Sequence, residues 1–159
     1  MKRLHKIPIG KRVYVDESGI NTYLQRGYGR ALRGQKTEGS RFNRINVIGA
    51  LCGNEYFSVE CYKHSTDSIY FLDWFENSLL NEIPEGCTVI LDNAKYRPKE
   101  RLRKAARGKA RLLFLPPYSP DHNPIEKSWA TMKRYLRDNI QNYQSVDSAI
   151  YDYFGFIIS

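Results

Sequence analysis

The sequence predicts an α/β fold built on a mixed five-stranded sheet, in which three antiparallel strands precede parallel crossovers and helices flank the sheet. Three β-rich runs come first, separated by turn-forming residues. The hydrophobic pattern then changes to alternating helical and strand-like segments, which is typical of parallel connections. With 159 residues, 42% of them hydrophobic, the chain can bury one sizeable core. We therefore expect a single domain over residues 1–159.

The first three strands are predicted to form an antiparallel meander. Lys11–Val15 is a short β-branched and aromatic run, which the turn formers beginning at Asp16 are expected to end. Arg44–Cys52 and Tyr56–Tyr62 are two further β-rich runs. The intervening Gly53-Asn54-Glu55 indicates a hairpin, because Gly and Asn tolerate a positive φ.

Helices and strands alternate in the next part of the chain. Thr66–Leu80 carries apolar residues at helical spacing, with Thr66 or Ser65 as its expected N-cap. Its predicted stripe consists of Ile69, Leu72, Phe75 or Glu76, and Leu79, and core positions are expected for Phe71, Trp74 and Phe75. Cys87–Leu91 is a continuous apolar run, as expected for a strand buried on both faces. Pro98–Arg107 is predicted to be a short basic helix, and Arg111–Leu115 the next buried strand.

Two more helices are predicted to complete the chain. Asn123 can cap a helix that starts at Pro124 and extends to Asn139. The apolar stripe of that helix consists of Ile125, Trp129, Met132 and Leu136. A last helix is expected over Ser145–Phe156.

Carboxylates follow two of the predicted strands, Asp16 after the first and Asp92 after the fourth. Parallel crossovers make these strands natural neighbours, so their carboxyl ends meet at one edge of the sheet. Two carboxylates held there repel each other unless a cation neutralises them. Oxygen ligands suit Mg²⁺ or Mn²⁺. Glu126, in the first turn of the following helix, is the expected third ligand.

Each of the three carboxylates also has a purely structural interpretation. Asp16 can form a turn, and Asp92 with Asn93 can form an Asx-turn. Glu126 stands three residues after Asn123, which is the spacing of a capping box. A metal site is favoured over these alternatives because all three carboxylates coincide with a topology that brings them together.

Three blocks of the sequence resemble the signature blocks of a known family. Val15-Asp16-Glu17-Ser18, Leu91-Asp92-Asn93-Ala94 and the string LPPYSPDHNPIE at residues 115–126 are similar to those of the mariner-like DDE transposases of bacterial insertion sequences. The resemblance extends from Lys11 through the final helix. It implies an RNase H-like catalytic domain in which Asp16, Asp92 and Glu126 bind two Mg²⁺ or Mn²⁺ ions.

The resemblance also implies a reaction. In that family the ions activate first a water, which hydrolyses a phosphodiester at the transposon end, and then the freed 3′-hydroxyl, which attacks target DNA. Joining two DNA ends in one complex favours a homodimer. Two alternatives remain: an RNase H-like endonuclease without strand transfer, and an inactive DNA-binding module derived from a transposase.

The chain departs from the family pattern in two places. Many relatives carry a His a few residues after the second Asp, where this chain has Lys95-Tyr96-Arg97. Relatives also carry a helix-turn-helix region for DNA recognition, whereas only fifteen residues precede Asp16. We therefore expect this region to be absent, as in a truncated copy, the second of two reading frames or an isolated domain.

The charge of the chain favours a polyanionic partner such as DNA. Lys and Arg number 25 against 17 Asp and Glu, a formal net charge of +8. Basic residues concentrate between Lys95 and Arg111 and in Tyr23–Arg44, a Gly-rich segment expected to be partly loop. The predicted DNA-binding residues are Lys95, Arg97, Lys99, Arg101, Arg103, Lys104, Arg134 and Arg137. The alternative for these clusters is an ordinary solvated face.

No segment approaches the roughly 18 apolar residues of a membrane span, and no signal peptide is recognisable, so a cytoplasmic protein without a membrane partner is expected. Cys52, Cys61 and Cys87 lack C-x-x-C spacing and are expected to be buried free thiols. The three histidines are scattered, which argues against a zinc site.

Overall fold

A computed structural model describes residues 2–21, 44–117 and 123–155, and the structural statements below concern these residues. The strands are β1 (Arg12–Asn21), β2 (Arg44–Cys52), β3 (Glu55–Tyr62), β4 (Thr88–Leu91) and β5 (Arg111–Phe114). The helices are α1 (Lys2–His5), α2 (Ser68–Trp74), α3 (Leu80–Glu82), α4 (Lys99–Ala106), α5 (Ile125–Asn139) and α6 (Val146–Tyr153). None of the helices in these three ranges is long and apolar enough to cross a membrane.

The five strands form one mixed sheet in the spatial order β3-β2-β1-β4-β5. β1 pairs antiparallel with β2, and β2 pairs antiparallel with β3, as the meander predicts. β1 also pairs parallel with β4, which pairs parallel with β5. The predicted element order and the adjacency of the first and fourth strands are therefore confirmed.

β1 is longer than predicted, and the expectation that it ends before Asp16 is wrong. It continues to Asn21, because residues 14–21 pair with β2 and this ladder outweighs the turn propensity of Glu17-Ser18-Gly19. A Cβ at Gly19 would overlap the guanidinium of Arg44, so the absence of a side chain permits this close pairing. The parallel pairing with β4 covers only residues 12–14. Beyond that point β1 and β4 are no longer paired.

The hairpin and the last two helices closely match their predictions. β2 has the predicted bounds, and Gly53 in the turn has a φ of 62°. α5 buries the four predicted stripe residues, and the Ser145 hydroxyl caps α6. The segment Tyr23–Arg44, predicted to be partly loop, lies outside the described residues except at Arg44, and so does Phe156 at the end of the last predicted helix.

The helix predicted over Thr66–Leu80 differs in its cap and in its buried face. Asp67 is the N-cap, and its carboxylate accepts a hydrogen bond from the Tyr70 backbone nitrogen at 2.8 Å. The Thr66 hydroxyl instead bonds the Tyr62 hydroxyl. After α2 the chain forms a π-helical turn over Phe75–Leu79 and continues into α3.

The buried face of this segment is aromatic. Phe71, Trp74 and Phe75 are buried in the core as expected, whereas Ile69 of the predicted stripe is 74% exposed. The larger aromatic side chains bury more apolar surface than Ile69 would, so they define the face that packs on the sheet.

Two apolar layers cover the two faces of the sheet. Alternate residues of β1 point to opposite layers: Tyr14 lies in the layer with α5 and α6, and Val13 and Val15 lie in the layer with α2 and α4. All of β4 is buried. β5 is only half-buried, contrary to expectation, because it is the edge strand. Cys87 is buried, while Cys52 and Cys61 are only partly so; all three are free thiols.

Candidate active site

The parallel register brings Asp16 and Asp92 to the same level of the sheet. Tyr14 pairs with Ile90 at the last position of the β1–β4 ladder. Asp16 and Asp92 each lie two residues further along. By strand alternation both belong to the face of Tyr14 and Ile90, which α5 covers. The charge of Asp92 contributes to the pKa shift of Asp16, as expected for neighbouring carboxyl groups.

A glycine in β2 determines how closely α5 approaches this edge. Gly49 is the cross-strand partner of Asp16. A Cβ at Gly49 would lie 3.3 Å from Cη2 of Trp129 and 3.1 Å from Cγ2 of Val59. The bare backbone of Gly49 therefore lets the Trp129 ring pack on the sheet beside Asp16. Glu126 precedes Trp129 by one helical turn.

Asp16 and Glu126 line one cavity of about 450 Å³ together with Glu17 and Trp129. Lys133, Arg134 and Arg137 of α5 line the same cavity, so it presents both acidic and basic groups. Arg134 and Arg137 are among the predicted DNA-binding residues and Lys133 is not, although its position two helical turns after Glu126 indicates the same face of the helix.

Glu126 does not form the capping box that its spacing allows. Its side chain is exposed and makes no hydrogen bond to any residue in the described ranges. The Asn123 side chain instead accepts from the Ile125 backbone nitrogen at 3.4 Å, and the Glu126 backbone nitrogen donates to the Asn123 carbonyl at 3.2 Å. The Glu126 carboxylate is therefore free to act in the cavity.

The environment of Asp16 favours a neutral carboxyl group or a nearby cation. Burial raises the pKa of Asp16 to about 7, and the charges of Glu17 and Asp92 add to the effect. A hydrogen bond from the Glu17 backbone and the charge of Arg97 oppose it. A divalent ion bound beside Asp16 would neutralise the charge of this carboxylate.

Asp92 is held by hydrogen bonds on one of its two oxygens. Its Oδ1 accepts from the Ala94 backbone nitrogen at 3.2 Å, which is the Asx-turn considered from the sequence. The same oxygen accepts from Nε of Arg97 at 3.0 Å. The side chain is 47% exposed, so the turn leaves its other oxygen accessible.

Arg97 occupies a different place from the other predicted DNA-binding residues. It is 4% exposed and paired with Glu17 and Asp92, so its guanidinium does not face solvent. A contact with a DNA phosphate does not fit this position, because the donors already bind carboxylates. One signal of the Arg97–Glu17 pair is present in the sequence: Glu17 directly follows Asp16 in β1, so strand alternation directs its side chain away from the face of Asp16.

The remaining predicted DNA-binding residues are accessible to differing degrees. Lys95, Arg101, Arg103 and Lys104 are exposed, and Lys99 is half-buried. Lys99 and Arg103 both lie 5.3 Å from the centre of the Phe114 ring, against the edge strand β5. Arg103 also pairs with Glu100 at 2.8 Å.

Asp16, Asp92 and Glu126 offer the oxygen ligands of a metal site, but their side chains are not close enough together to form one. Across residues 2–21, 44–117 and 123–155, no group of three or more Asp, Glu, His or Cys side chains is close enough together to hold an ion. Asp16 neighbours Asp92 in the sheet and shares the cavity with Glu126. Their oxygen donors and the raised pKa of Asp16 suit a hard divalent cation.

Comparisons with known proteins identify a family and a fold. A family model described as DDE superfamily endonuclease matches residues 11–148. The Mos1 transposase paired-end complex with left transposon end has a TM-score of 0.70 and 17% identity, over 99% of this chain and 51% of that chain. This chain thus spans about half the length of that transposase. No curated protein sequence gives a significant match.

Two single-domain structures show the same likeness. The catalytic domain of Mos1 mariner transposase has a TM-score of 0.68 and 16% identity, over 99% of this chain and 76% of that chain. The catalytic core domain of BIV integrase has a TM-score of 0.55 and 13% identity, over 89% and 78%. The predicted RNase H-like fold is therefore confirmed.

Proposed function

The chain belongs to the DDE superfamily endonuclease family, and on this basis we propose that it is the catalytic domain of a DNA transposase. Its substrates would be transposon ends and target DNA. The observation that carries the proposal is the β1–β4 register, which aligns Asp16 with Asp92 on the face where α5 presents Glu126. A homodimer would bring two DNA ends together.

Asp16, Asp92 and Glu126 are the proposed ligands of Mg²⁺ or Mn²⁺, with two ions as the expected number. Such ions would stabilise the attacking and leaving oxygens of a phosphodiester during in-line displacement. Burial disfavours an unneutralised charge on the Asp16 carboxylate, so a bound cation would stabilise its ionised form. Asp92 contributes its accessible oxygen, and Glu126 an exposed carboxylate at the start of α5.

Basic residues beside the carboxylates would bind the DNA backbone. Lys133, Arg134 and Arg137 extend from Glu126 along α5, over about 16 Å at the helical rise. They would neutralise phosphates while the carboxylates face the bond that is cut. The α4 region is proposed to add further DNA-backbone contacts, from the half-buried Lys99 and from the exposed Lys95, Arg101, Arg103 and Lys104.

Asp92→Asn tests this proposal, because it removes the charge of the proposed ligand and preserves its shape. With Mg²⁺ or Mn²⁺, the wild-type protein should nick supercoiled DNA, and the variant should nick at least about 100-fold more slowly. Asp138→Asn is the matched control, since Asp138 is an exposed carboxylate outside the cavity lining. Undiminished nicking by a folded Asp92→Asn protein would contradict the assignment.

The same reaction distinguishes two kinds of enzyme. The family description names an endonuclease, so cleavage without strand transfer is the second candidate. A labelled DNA end that becomes joined to the plasmid supports transposition. Nicks without joined products support the simple endonuclease.

A further inference from the structure

Arg97, at 4% exposed, is the one buried residue of the described ranges whose side chain carries a formal charge. Burying a guanidinium costs several kcal/mol unless partners compensate for its lost hydration. Its carbon Cζ lies 4.2 Å from the centre of the Phe71 ring and 4.9 Å from that of Tyr96. These aromatic faces and two carboxylates replace water around the charge.

The donors of Arg97 bind one carboxylate within β1 and one at the carboxyl end of β4. Nη1 donates to Oε1 of Glu17 in β1, and Nη2 donates to Oε2 of the same carboxylate at 3.0 Å. Nε and Nη2 each lie 3.0 Å from Oδ1 of Asp92, which directly follows β4. β1 and β4 cease to pair at Tyr14 and Ile90. Arg97 therefore joins the strands immediately beyond their last paired residues, beside the candidate site.

The hydrogen bonds of Arg97 make the two oxygens of Asp92 unequal. Oδ1 accepts from Arg97 and from the Ala94 backbone. Oδ2 accepts no hydrogen bond from the described part of the chain, and the side chain is 47% exposed. A carboxylate anchored through one oxygen cannot rotate freely, so the other oxygen keeps its direction.

We propose that Arg97 is a positioning residue: held by Glu17, it fixes the Asp92 carboxylate so that one oxygen remains available to a divalent ion. This inference rests on the proposed function, and Arg97 itself touches no reacting atom. Lysine cannot replace it, because an ammonium lacks the planar fork that binds Glu17 and Asp92 together.

Arg97→Lys tests the proposal, because it keeps the charge and removes the fork. Mn²⁺ binding by calorimetry should weaken by about 10-fold or more, as for other partners that orient metal ligands. DNA nicking should fall at low Mn²⁺ and recover partly at high Mn²⁺. Glu17→Gln should show a smaller change in the same direction. Arg3→Lys, at an exposed arginine of α1, is the matched control and should change neither readout.

The salt dependence of DNA binding separates positioning from a phosphate contact. Losing one phosphate contact reduces the slope of log K against log salt by about 0.9. Arg134→Gln should show this reduction, because Arg134 is exposed and lines the cavity. Arg97→Lys should keep the wild-type slope, and a reduced slope would overturn the proposal.

Mn²⁺ affinity and nicking at wild-type levels in both folded variants would also overturn the positioning role, while leaving the proposed function intact. If Arg97→Lys does not fold, the comparison of Glu17→Gln with wild type decides. A wild-type protein that neither binds Mn²⁺ nor nicks DNA would overturn both the proposed function and this inference.

Discussion

The three candidate metal-binding carboxylates differ in their burial and in their hydrogen bonds. Asp16 is partly buried, with a raised pKa, Asp92 is anchored through one oxygen, and Glu126 is exposed. Sequence motifs identified these residues. They did not predict the role of Arg97, because its burial depends on packing against Phe71, which is distant in the sequence.

The pKa of Asp16 predicts a pH-dependent stability difference between Asp16→Asn and wild type. Burial raises the pKa of Asp16 to about 7 in the folded state, against 3.8 for an ordinary aspartate side chain, so the native state holds the proton more tightly. Its stabilising contribution is complete below about pH 4 and is lost as the pH rises through 7. When the pH rises from 5 to 8, the free energy of unfolding of Asp16→Asn should therefore increase by about 1–2 kcal/mol relative to that of wild type.

Urea unfolding at the two pH values, with a chelator present, measures this difference. Asp138→Asn provides the matched control, because it makes the same chemical change at an exposed position outside the cavity lining. Parallel pH profiles for Asp16→Asn and wild type would show that Asp16 is not held in a desolvated site.

Among the helices and strands, the sequence predicts the buried residues best where a single apolar face packs against the rest of the protein. The α5 stripe was predicted residue by residue, because Ile125, Trp129, Met132 and Leu136 repeat with the helical period. The extension of β1 past Val15 depends on a ladder with β2, and the π-helical turn depends on tertiary packing. Neither has a local signal in the sequence.

Gly49→Ala tests how the sheet positions α5. The new Cβ would lie 3.1 Å from Val59 and 3.3 Å from Trp129, so both must shift. We expect a loss of about 1–3 kcal/mol in the free energy of unfolding, as for overpacked cores. Nicking should also decrease, because α5 carries Glu126.

Gly10→Ala is the matched control for this substitution. No atom lies within 4 Å of the corresponding Cβ, and the φ of Gly10 is not positive. Its effect on unfolding should stay within about 0.5 kcal/mol. A Gly49→Ala protein as stable as this control would contradict the close packing of Trp129 on the sheet.

For the whole molecule, the strand topology could be predicted from the sequence, whereas the arrangement of side chains in the candidate site could not. The crossovers implied that the first and fourth strands are neighbours, and the sheet order confirms it. That Asp16 and Glu126 share a cavity with three basic residues depends on how α5 packs across the sheet. The spacing of the carboxylates likewise depends on side-chain positions that no local pattern specifies.

Anomalous diffraction from Mn²⁺-soaked crystals of the protein tests whether Asp16, Asp92 and Glu126 bind a divalent ion. We predict anomalous peaks in the cavity, with oxygens of Asp16 and Asp92 coordinated to an ion and the Glu126 carboxylate turned towards an ion. If Mn²⁺ at a saturating concentration binds only elsewhere and leaves these three carboxylates without a ligand ion, the proposed metal site is wrong.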